Sequence, residues 1–189
     1  MKIYKKLHNI WRAFWKRKLH AIVVTADISI LRDGKVIETY KNVEGWWNGL
    51  MDEGEQNMLD VYFRNQNAPT NFYCGLGNNG GTPGIPADTA TLSTITEVSG
   101  TNYARQLIER STTGWPNLVL NDGDYQVESK SVSFTNTGTT NWTSIDYLFI
   151  TDVASGTSGK LLVTIAMPSS KILAPNESLV IESIKIKAQ

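Results

Sequence analysis

The stretch VVTADISILRDGKVIETY, residues 23–40, decides the fold class. Val24, Ala26, Ile28 and Ile30 alternate with Thr25, Asp27 and Ser29, the period of a strand with one buried face. Arg32-Asp33-Gly34-Lys35 then supplies the Asp-Gly pair favoured in two-residue hairpin turns, whose central residues both need positive φ. Val36 to Tyr40 returns as the partner strand. The pattern predicts a β-hairpin over residues 21–41.

Towards the C-terminus, one helix is expected over 49–64, with Asn48 as N-cap and acids early (Asp52, Glu53, Glu55). Met51, Met58, Leu59, Tyr62 and Phe63 would form its apolar face, and Pro69 would end the segment. Six further strands are expected at 71–76, 103–110, 126–135, 144–151, 160–167 and 178–187. Between them lie turn clusters at Asn121-Asp122-Gly123-Asp124, Asn136 to Asn141, Ala154 to Gly159 and Pro168 to Asn176. Eight strands and one early helix predict a mainly β body over 21–189, an antiparallel β-sandwich or jelly-roll-like fold. No repeat of 20 to 50 residues is visible.

Towards the N-terminus, residues 1–20 read as a separate arm. Ile3, Leu7, Ile10, Trp11, Phe14, Trp15 and Leu19 recur at spacings of three and four, which makes one apolar stripe on a helix. Lys2, Lys5, Lys6, Arg12, Lys16, Arg17 and Lys18 cover the rest, with no acid among them. Of 18 basic and 18 acidic residues in the chain, the body keeps 11 basic against all 18 acidic. A basic amphipathic arm on an acidic body points to a partner. Its Ile3, Leu7, Trp11, Phe14 and Trp15 would enter an apolar groove while Arg12, Lys16, Arg17 and Lys18 meet anionic groups. A membrane surface, nucleic acid and packing on the arm's own body are the alternative uses. Charges at Arg12 and Lys16 to Lys18 interrupt every candidate secretory core, and no apolar run reaches the about 18 residues of a membrane span.

Enzyme templates fit poorly. The two histidines, His8 and His20, both lie in the arm, which disfavours a hydrolytic triad or a histidine metal site. Asp122 and Asp124 flank Gly123, but the later acidic ligands of a calcium loop are missing, so an ordinary polar turn is expected. Gly75 to Gly81 is followed by Thr82-Pro83-Gly84 and not by a helix with a lysine, so the phosphate-loop and dinucleotide templates fail. No catalytic, cofactor-binding or metal residues are assigned, and no cofactor is expected. The lone Cys74 excludes an internal disulfide and reads as a small buried hydrophobe. Trp46, Trp47, Trp115 and Trp142 are candidate ligand-facing aromatics for a sugar, against the ordinary alternative of core or interface burial. Asn141-Trp142-Thr143 and Asn176-Glu177-Ser178 match the glycosylation pattern, which matters only in a secretory host.

The order of segments resembles a group of virion structural proteins of tailed bacteriophages. The motifs are "KNVEGWWNGLMDEGEQNMLDVYF", "FYCGLGNNGGTPGIPADTATL", "TNYARQLIERS", "KSVSFTNTG", "IDYLFITD" and "GKLLVTIAMPSSKILAPNESLVIESIKIKA". They span about residues 40–189 and consist of turns and core positions, so no catalytic residue carries over. Residues 1–40 look like an addition to the common body. The resemblance implies a non-enzymatic component of the particle surface, made in the host cytoplasm. Its expected partners are other virion proteins (the major capsid protein, or tail and neck subunits) and further copies of itself. Absence of heptads and fibrous repeats favours a capsid decoration or cement protein; the alternative is a tail fibre or tail-associated protein whose sandwich binds a glycan or receptor.

Overall fold

The computed structural model describes residues 22–44, 49–66 and 68–188. The expected arm, with Trp46, Trp47 and the Asn48 cap, lies outside them. Two antiparallel sheets pack face to face, with one helix at their side.

The first sheet is built on the hairpin of β1 (Ile22–Arg32) and β2 (Lys35–Glu44). Asp33 and Gly34 take φ of 50° and 72°, as a tight turn between right-twisted strands requires. Val24, Ala26, Ile28 and Ile30 are at most 3% exposed, so the alternating face is core. Along its other edge β1 pairs with the distant β10 (Glu177–Ala188), and β10 pairs in turn with β6 (Asp124–Glu128) and β7 (Val132–Thr135). β5 (Asn117–Asn121) completes the order β2-β1-β10-β6-β5. The second sheet runs β4 (Gln106–Glu109), β3 (Asn71–Gly77), β8 (Trp142–Thr151), β9 (Leu161–Leu173).

Leu148 and Ile150 of β8 face the first sheet, whereas Tyr147 and Phe149 point the other way into a second cluster with Met51, Leu92 and Leu161. Residues 85–95 roof that cluster, so the middle of the second sheet is buried on both faces. The roof is fastened by Arg105, which bonds Glu97 at 2.7 and 3.0 Å and the carbonyls of Val153 and Gly156. Asp146 clips the glycine-rich loop by accepting the N–H groups of Asn79 (2.7 Å) and Gly81 (2.9 Å). That loop is therefore held by the core.

Several elements differ from expectation. The helix, α1, spans Asp52–Phe63 and starts after Met51, which offers no side-chain cap; the three acids fill its first turn and favour the positive helix end. The strand expected at 126–135 is two strands, β6 and β7, on one edge of β10. Between them Ser129 leaves the ladder, its N–H and Oγ both bonding Ile184. β9 continues through Pro168 to Leu173, which an edge strand tolerates because its free side needs no donor. β4 is shorter than expected because Tyr103 belongs to a turn, its ring packed against Phe134 and Trp142. β5 was not expected at all: its five residues are exposed and show no alternation to read. The hairpin is part of the first sheet, in which β1 is an inner strand.

Candidate functional site

α1 lies against the outer edge of β9. Gly54 is its one buried residue, and a Cβ there would come 2.1 Å from the carbonyl oxygen of Leu162. Residues 49–51 extend that edge, with Met51 N–H bonding Leu162 O (3.0 Å) and Thr164 N–H bonding Gly49 O (2.7 Å). This contact through glycine and backbone turns the expected apolar face outward. Met58, Leu59, Tyr62 and Phe63 are 43%, 50%, 80% and 75% exposed, and only Met51 of that set is buried.

Beside α1 the two sheets gape. A groove of about 370 Å³ opens between Met58 and Tyr62 of α1 and Ile22, Val127 and Ile186 of the first sheet. Trp115 forms part of its wall. The indole packs edge-on against Phe72 (6.1 Å), and its buried Nε1 has no acceptor among the described residues.

The groove continues into an uncovered shelf. Val24 pairs with Ile186, Ile186 with Val127 and Val127 with Leu118, and paired residues share a face. This row starts in the core at Val24, 1% exposed, and ends in solvent at Leu118, 71% exposed. Leu120 and Tyr125, paired on the same face, are 65% and 64% exposed. The inner face of the β5–β6 hairpin therefore projects beyond the second sheet as an apolar overhang.

The other sequence-selected residues separate. Trp142 is 1% exposed, packed edge-on against Tyr103 at 5.5 Å, so its ring offers no face to a ligand. Asp122 and Gly123, at φ 55° and 88°, form the two-residue turn of the β5–β6 hairpin, and Asp124 lies 3.5 Å from the Lys187 ammonium. Nothing in the sequence linked Leu118, Leu120 and Tyr125 to α1. The signal available was the apolar Leu118-Val119-Leu120 run ahead of Asp122-Gly123.

Titratable groups are mostly engaged in holding the fold. Burial pushes the Cys74 thiol up to about 12, which leaves it protonated and inert. Burial also raises the Tyr103 hydroxyl, which accepts the Leu76 N–H and donates to Glu97. Lys171 bonds Glu38 at 2.5 Å and also Tyr40, over whose ring it sits at 4.6 Å. Across the first sheet, Lys185 joins Asp27 (2.9 Å) and Asn42 (3.0 Å). Among the described residues no group of three or more His, Cys, Asp and Glu side chains is placed to hold a metal ion. No described helix is long and apolar enough to cross a membrane. The prominent surface feature among the described residues is apolar.

Residues 49–189 match the family model described as Podophage GP4 fiber I protein gp80. No curated protein matches the chain.

Proposed function

Since the chain belongs to the podophage GP4 fiber I protein family, we propose that it is a non-enzymatic tail-fibre component, joined to other virion proteins through residues 2–20. The family match over 49–189 carries this reading and favours a fibre over the head-decoration role expected from the lack of fibrous repeats. The β-sandwich supplies a rigid body, and the basic segment, outside the family match, supplies the attachment. Arg12, Lys16, Arg17 and Lys18 are its anionic-partner contacts, and Ile3, Leu7, Trp11, Phe14 and Trp15 its apolar anchors. Copies arranged around a tail would multiply weak individual contacts into a stable attachment.

Microscopy of assembled particles carrying a labelled copy tests the location. Label on fibres at the tail is expected; label spread over the head would overturn it. Deleting residues 1–20 should leave a folded protein that no longer enters particles, and normal incorporation would remove the attachment role. Host-glycan binding by the sandwich is the second reading, and the buried Trp142 lends it no support. Its test is Trp115→Ala, which should abolish glycan binding without unfolding if a sugar stacks there.

A further inference from the structure

We propose that β5 is a contact between two copies of this chain, paired antiparallel about a two-fold axis through Val119. The five residues of the strand, Asn117-Leu118-Val119-Leu120-Asn121, read the same in both directions. In that register Asn117 faces the second copy's Asn121, Leu118 faces its Leu120, and Val119 faces its own counterpart. Like meets like along the whole strand. A two-fold contact needs a surface that is complementary to itself in this way.

The backbone supports the same register. Asp122 and Gly123 form a two-residue turn, so Asn121 and Asp124, which flank it, are a hydrogen-bonded pair. Pairs alternate from there. Asn121, Val119 and Asn117 bond inward to β6, whereas Leu118 and Leu120 aim their N–H and C=O groups at the open edge. The two-fold register sets those two residues opposite each other, so each Leu118 exchanges hydrogen bonds with the other copy's Leu120. Pro116 has no N–H and ends the ladder beyond Asn117.

β5 also lacks the features that keep sheet edges apart. Of the four strands that end the two sheet orders, β2 carries Lys35, Glu38, Lys41 and Glu44, and β4 carries Glu109. β9 carries Pro168 and Lys171, and residues 49–51 cover part of its edge. β5 has no charged residue, no proline and no register shift against β6. An unguarded apolar edge is a template for another strand. Pairing would set Leu118 and Leu120 of both copies side by side on one face of a joined sheet, shielding side chains that are otherwise exposed.

Polar groups on the opposite face are compatible with the pairing. Asn117 and Asn121 each donate one side-chain N–H within their own copy, to Glu128 (3.3 Å) and Gln126 (3.2 Å). The second N–H and the amide oxygen of each can then serve the facing asparagine. Glu128, the acid of β6 nearest this edge, is held by Gln126 (2.6 Å) as well as Asn117, so no like charges meet across the strands. Beyond the ladder, the turn residue Asp122 of one copy approaches the base of the other's hairpin. Arg110 and Trp115 line the groove at that base, and Lys130 N–H bonds the Gly114 carbonyl (2.8 Å), so the acidic turn approaches basic ground.

Disulfide trapping on the full-length protein tests the register. Val119→Cys puts a thiol on the axis in a non-hydrogen-bonded pair, where Cα atoms approach to about 4.5 Å, within reach of a disulfide. Asn117→Cys is the control, because its two copies would lie about 14 Å apart. Mild oxidation should link Val119→Cys at least roughly tenfold faster than Asn117→Cys. Cys74 is buried and stays out of the reaction. Adding Leu118→Lys and Leu120→Lys to Val119→Cys should abolish the link, with near-ultraviolet circular dichroism confirming that the sandwich is intact. Sedimentation of the native protein should show a monomer–dimer equilibrium, which the two lysines weaken. A native protein that stays monomeric at every concentration would overturn the pairing. So would Asn117→Cys linking as fast as Val119→Cys, or a dimer that survives the lysines. Neither the place in the particle nor the role of residues 2–20 enters these readouts, so each reading can fail alone.

Discussion

Gly54 lets α1 approach β9 closely enough for Met51 and Leu162 to share a backbone hydrogen bond. In a free helix, alanine would be favoured there by about 1 kcal/mol. Here its methyl would meet the Leu162 carbonyl at 2.1 Å, and backbone cannot move aside like a side chain. Gly54→Ala should therefore lower stability by about 1–3 kcal/mol in urea denaturation, the range for overpacking. Sequence displays a glycine's weak helix propensity but hides its neighbour, which is why the outward turn of the apolar face of α1 was not legible. Glu38 gives a second residue-level test. Its carboxyl is held below the ordinary value by the hydrogen bond from Lys171, then by that from Tyr40 and the Lys171 charge, against opposing burial. A lowered folded pKa means that this stabilisation is complete above the ordinary carboxylate range and is lost as pH falls through the folded value. Melting temperatures between pH 7 and 3 should show a smaller acid-side decline in Glu38→Gln than in the native protein.

At the scale of elements, the β1–β2 hairpin was fully legible because alternation and an Asp-Gly turn are both local. The Ile184–Ile186 end of β10 was less so. Its inward residues run Leu179, Ile181, then Ile184, Ile186, and the phase slips where Asp27 faces Ser183 but Ile28 faces Ile181. That bulge leaves Glu182 unpaired and coincides with the break between β6 and β7, so the two strands read as one continuous stretch. β5 escaped notice because exposed strands have no burial period to display. The hairpin's placement predicts that Ile28→Ala, at a fully buried site, costs about 2–5 kcal/mol by chemical denaturation. Removing residues 1–44 should leave an unfolded or aggregated product in circular dichroism, although the family match begins only at residue 49. β1 covers β10 along its whole length, and nothing else among the described strands can take its place.

For the whole molecule, removing only residues 1–20 should preserve the near-ultraviolet circular dichroism of the sandwich, whose strands begin at Ile22. Fold class could be read from the sequence because burial leaves a period of two. The trough could not, since it joins residues from α1, β1, β5, β6 and β10 that only the tertiary arrangement brings together.

The central place of β10 has a consequence for how the protein is made. β1 leaves the ribosome early, with four apolar side chains along one face, while its long-edge partner is about 150 residues downstream. Until residue 188 is synthesised, one flank of that nascent hairpin stays unzipped, open to adventitious strand pairing or to a chaperone. A chain interrupted before β10 would lack the seam that joins β1 to β6 and β7. Completion of the first sheet thus waits on synthesis of β10, and the long edge of the hairpin is satisfied last.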